Sequence, residues 1–177
     1  MLWGAASGAL ELRAQDGGVR VSGRFPYGRE TELSRGRSEV VAPEAFEWDA
    51  EALFLFQHDV GRPLASVRAG SLDLRQTPGA LEMEARIDGV TSWAADFLAA
   101  HRAGLITGLS PGFVVRSGGE RVERRMDGVL RTITAAQLLE VSAVTRPAYS
   151  EAQIAARAWQ PGGGVASGLH HLKRWRP

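Results

Sequence analysis

Residues 138–149 read LLEVSAVTRPAY, an apolar run ending in a turn, with one carboxylate, Glu140, in its middle. As a strand, the segment places Leu138, Glu140, Ser142 and Val144 on one face and Leu139, Val141, Ala143 and Thr145 on the other. Both faces are largely apolar, which predicts a central strand with Glu140 at least partly buried. A buried carboxylate without a partner is costly, so Glu140 needs a cation or a hydrogen-bond donor. An arginine such as Arg131 or Arg146 is the plain structural choice. The imidazole of His58 is the choice with chemical consequences, because a carboxylate on one ring nitrogen leaves the other to take a proton.

Working outward, apolar and polar residues alternate in LELRA, VRVSGRF, SLDLRQ, LEMEARI and VLRTIT, each the pattern of a half-buried strand. Asp16-Gly17-Gly18, Thr77-Pro78-Gly79 and Asp127-Gly128 supply turn residues between them. Two segments break this rhythm. APEAFEWDAEAL (42–53) has Pro43 where a first helical turn accepts proline, and predicts a short helix. TSWAADFLAAHRAG (91–104) predicts a second, capped by Thr91 or Ser92, with Trp93, Phe97 and Leu98 on one face and Gly104 at its end. The expected fold is mainly β with helices (α+β), a small closed antiparallel β-barrel decorated by a few helices. From residue 159 the composition shifts to WQPGGGVASGLHHLKRWRP, so residues 1–158 are assigned to the domain and 159–177 to a glycine-rich linker with a basic, aromatic tail.

The chain's 177 residues suffice for one sizeable core. A net charge of +1 gives no bulk electrostatic pull toward nucleic acid. The absence of cysteine excludes disulfides, thiolate catalysis and cysteine zinc sites, and fits an intracellular protein. MLWGAASGALELRAQ has neither a basic leader region nor a long apolar stretch, so neither secretion nor membrane spanning is predicted.

Three segments carry chemistry. LFLFQHDVGRPLASV (53–67) delivers His58 to a strand end, where imidazole can exchange protons near neutral pH; the plainer reading is a turn hydrogen bond. ITGLSPGFVV (106–115) sets Ser110 between Gly108 and Gly112, open to close approach. A helix before the serine and a strand after it exclude the α/β-hydrolase elbow, and a glycine-rich turn serine is the plainer reading here. With Glu140 these residues form a candidate set of nucleophile, base and orienter. Ser142 reads as packing or a network hydrogen bond. His101 suits the end of the second helix, and His170 and His171 are too few for a metal site.

The three segments, with SGRFPYG (22–28) and EVVAPEAFE (39–47), together resemble the prohead serine proteases of tailed bacteriophages, a family similar in fold to the herpesvirus assemblins. The likeness runs in order through most of residues 8–157. It implies His58, Ser110 and Glu140 as the catalytic histidine, serine and acid, with no cofactor. It also implies a capsid-maturation endopeptidase acting on scaffold or on the major capsid protein's N-terminal extension, inside the procapsid in the bacterial host cytoplasm. Phage, prophage and gene transfer agent particles fit alike. The chain departs from the family at Gln57, where asparagine is common, and at Pro111, which has no N–H for an oxyanion. The assemblin likeness points to Arg146 as the oxyanion donor and raises a homodimer, of which the sequence carries no unambiguous mark. The tail could tether the enzyme to scaffold, shell or nucleic acid. The rival reading is an inactive scaffold or assembly chaperone on the same fold; an esterase is more remote.

Overall fold

A computed structural model describes residues 8–15 and 18–145. In chain order these form β1 (Gly8–Gln15), β2 (Gly18–Pro26), β3 (Thr31–Ser34), β4 (Arg37–Val41), β5 (Phe46–Glu47), β6 (Leu53–Phe56), β7 (Asp59–Ser66), β8 (Leu72–Thr77) and β9 (Ala80–Ile87). The helix α1 (Ser92–Arg102) follows, and then β10 (Gly108–Val115), β11 (Glu120–Arg125), β12 (Gly128–Ile133) and β13 (Ala136–Val144). The alternating segments form strands as expected. In β8, Leu72 and Leu74 are buried while Asp73 is exposed, and the Pro78-Gly79 turn joins β8 to β9 with Thr77 opposite Ala80.

The larger sheet runs β7-β6-β13-β10-β1-β2-β9-β8, with β5 also on β13. A second sheet runs β11-β12-β4-β3. Val21, Phe25, Phe46, Leu81, Leu109, Leu138 and Val141 of the larger sheet form the core, joined by Ile133 of the second. Gly23 permits the tightest packing there, since a Cβ on it would lie 2.9 Å from the Leu109 side chain. Helix α1 is capped by the Thr91 side chain, which accepts from the Ala94 N–H, and it buries Ala94, Phe97 and Leu98. The Phe97 ring meets Phe54 at 5.9 Å and Phe56 at 6.1 Å, anchoring the helix on β6.

Three expectations are corrected. The sheets are open, so the barrel is not closed: the larger sheet ends at β7 and β8. Both edges resist further pairing, β7 through Pro63 with exposed Asp59 and Arg62, β8 through exposed Asp73 and Arg75. Nor is the pairing purely antiparallel, because β13 runs parallel to β5 and β6, and β12 parallel to β4. Finally, α1 is the one helix among the described residues, so "a few helices" does not hold. APEAFEWDAEAL is not helical: Phe46 joins β5, its N–H and C=O are both bonded to the Gln76 amide, and the Ala45 carbonyl accepts from Ala136. Those bonds use the backbone groups that a helix would need. The assigned boundary at residue 158 and the tail lie outside the described residues. No helix among the described residues is long and apolar enough to cross a membrane.

Candidate active site

β13 sits between β6 and β10, and the candidate residues gather around it. On one side Ser110 of β10 is directly opposite Ser142, and Gly112 is opposite Glu140. Directly opposed residues point to the same face, with Cα atoms about 4.5–5.5 Å apart. Ser110, Ser142 and Glu140 therefore share a face, while Leu109, Val141 and Ala143 turn to the core on the other. Both faces are covered: Ser110 and Ser142 are fully buried and Glu140 is 4% exposed. This agrees with the central strand and buried Glu140 expected from LLEVSAV but not with the placing of its leucines: a register shift between Gly112 and Phe113 leaves Leu138 in the core with Val141 and Leu139 40% exposed.

On the other side β6 runs parallel to β13, with Leu55 level with Ser142. It ends at Phe56, which pairs with Asp59 across Gln57-His58. Both loop residues have positive φ, 56° and 58°. That is the backbone of a two-residue hairpin turn normally built from asparagine and glycine. Here it carries glutamine and histidine, a strained choice that recurs where a side chain must be aimed. Gly61 and Pro63 lie within β7 and do not form the turn.

The turn brings the imidazole back over β13. His58 Nδ1 lies 2.8 Å from Glu140 Oε1, and both side chains are nearly buried, at 9% and 5% exposed. The His58 N–H donates to Ser142 Oγ at 3.2 Å, and Ser142 Oγ donates to Glu140 Oε2 at 2.5 Å. The partner of Glu140 is thus the imidazole, while Arg131 binds Glu39 at 3.2 Å and Glu120 at 2.5 Å in the second sheet. A carboxylate accepting from Nδ1 fixes the tautomer that leaves Nε2 as proton acceptor. Ser110 Oγ is buried and makes no hydrogen bond among the described residues.

Of the remaining candidates, His101 ends α1, its Nδ1 2.5 Å from the Ile106 carbonyl. Pro111 is buried in β10 beside Ser110. Arg146, the expected oxyanion donor, lies outside the described residues, as do His170 and His171. The turn geometry at Gln57-His58 is the feature that sequence reading missed, for neither residue is a turn former. The bond from Ser142 to Glu140 had one signal, a hydroxyl two residues from a buried acid on the same strand face.

Ser110 on β10, His58 on the β6–β7 turn and Glu140 on β13 are side-chain types that a serine hydrolase uses; His58 and Glu140 are in contact, whereas Ser110 Oγ bonds to neither among the described residues. The family profile described as caudovirus prohead serine protease matches residues 8–162, and the chain belongs to this family. Membership in this family supports a role as a capsid-maturation serine protease. No curated protein and no solved structure gives a match.

Proposed function

We propose that the chain is the endopeptidase that trims scaffold, the N-terminal extension of the major capsid protein, or both, with Ser110, His58 and Glu140 as its catalytic set. The observation that carries this is the 2.8 Å contact of His58 Nδ1 with Glu140, made beside the strand position that faces Ser110. Ser110 attacks the scissile carbonyl. His58 takes its proton through Nε2 and returns it to the leaving amine, and water then hydrolyses the acyl-enzyme. Glu140 holds the tautomer and stabilises the imidazolium. The oxyanion donors lie elsewhere than at Pro111, which has no N–H.

The rival, an inactive assembly scaffold, is favoured by one observation, Pro111 beside the nucleophile. One experiment separates the two: co-expression of wild type or Ser110→Ala with the major capsid protein of the same particle, reading the capsid protein's intact mass. An N-terminal truncation present only with wild type establishes the protease and gives its cleavage site. Full-length capsid protein in both, in particles that still assemble, would sink the catalytic reading.

A further inference from the structure

We infer that Ser142 is a positioning residue of this site, tying the imidazole-bearing turn to the carboxylate that orients it. The inference rests on the catalytic reading of His58 and Glu140.

A serine hydroxyl has one proton to give and two lone pairs to receive with. Ser142 gives its proton to Glu140 Oε2 at 2.5 Å and receives the His58 N–H at 3.2 Å. With Oε1 held by His58 Nδ1, both oxygens of Glu140 are engaged and the carboxylate has no free torsion. The three groups close a ring: imidazole to carboxylate, carboxylate to hydroxyl, hydroxyl to the backbone of the imidazole's own residue. Each link fixes the next, as mutually polarising buried bonds do.

Two consequences follow. First, the ring restrains a turn that needs restraint, since Gln57 and His58 both stand at positive φ without being glycine. Second, because its single proton goes to Glu140, Ser142 has none for Ser110, which faces it across the strands. Ser142 then donates no bond to the Ser110 oxygen, whose own proton is left for the imidazole on the catalytic reading. A serine here orders the base without capturing the nucleophile. Alanine would free the turn, and a carboxamide donor would compete for Ser110.

The test compares wild type, Ser142→Ala, Glu140→Gln, the double variant and Ser142→Thr, with thermal midpoints taken for each. Two readouts are used: kcat and KM on a peptide spanning the capsid cleavage site, and the low-field proton resonance of a carboxylate-bound imidazole N–H. The expected results for Ser142→Ala are an unchanged KM, a fall in kcat of about 10–100-fold, and loss or broadening of the resonance. The double variant should be slower than Glu140→Gln by less than the factor that Ser142→Ala costs alone, because part of the serine's effect runs through the carboxylate. Ser142→Thr, which keeps the hydroxyl, should restore the resonance. A Ser142→Ala enzyme with full kcat and an intact resonance overturns the inference, as does a penalty that multiplies with that of Glu140→Gln. If wild type cleaves nothing and yet the resonance depends on Ser142, the positioning role stands and the protease reading is what fails.

Discussion

Glu39 on β4 is buried in the second sheet with Arg131 at 3.2 Å, and desolvation nevertheless pushes its pKa up from 4.5 to about 7. Burial outweighs the nearby guanidinium, and the charge of Glu120, which also binds Arg131, adds a smaller push in the same direction. A carboxyl whose folded pKa is raised takes up protons on folding. Its stabilising contribution is complete below the unfolded value near 4.5 and is lost as pH rises through about 7. Unfolding free energy should therefore fall across that window, by on the order of 2–3 kcal/mol from this group. Urea melts of wild type and Glu39→Gln at a series of pH values check it: the substitution should flatten the slope, and an unchanged slope refutes the assignment. Single residues were unevenly legible from sequence. Glu140 declared its need for a partner by sitting in an apolar strand, whereas the open approach to Ser110 expected from its flanking glycines is not found: Ser110 and both glycines are buried in β10. Glu39 lies in EVVAPEAFE with no comparable contrast around it, and its burial depends on a sheet whose order no local pattern encodes.

Among the elements, the β6–β7 hairpin carries the most consequence per residue. Left-handed backbone costs a side-chain-bearing residue about 1–2 kcal/mol, and asparagine tolerates it best. Gln57→Asn should therefore raise stability by about 0.5–1 kcal/mol with the hairpin register kept, measured as a rise in unfolding midpoint. A fall would show that the Gln57 side chain makes a contribution larger than the strain. The same hairpin shows where sequence reading stops. Turn prediction works from glycine, proline and asparagine, so Pro78-Gly79 was visible and Gln57-His58 was not. The strand β11, ERVERR, was equally silent, because exposure of nearly all of it removes the apolar alternation that announces a strand. In APEAFE the proline and acids mimic a helix start, whereas the buried Ala45 and Phe46 are adjacent anchors for β5.

For the molecule as a whole, the core and the site are two sides of one sheet. Phe97 packs on Phe54 and Phe56, the strand residues just before the His58 turn. Phe97→Ala should cost roughly 3–5 kcal/mol in denaturant unfolding, the usual penalty of a buried aromatic cavity. A loss below about 1 kcal/mol would mean that α1 is peripheral to the fold. Mainly β character was readable from alternation; an open rather than closed sheet was not, since edges are decided by which strands lack partners. The order of that sheet also sets a clock. His58 follows β6 and Ser110 lies in β10, yet the strand that seats itself between them, β13, is made after both. On the proposed catalytic set, a growing chain lacks both the acid and the strand between His58 and Ser110 until residues 136–144 are made, and their pairing is non-local. A partly synthesised copy would then lack the carboxylate that orients its base.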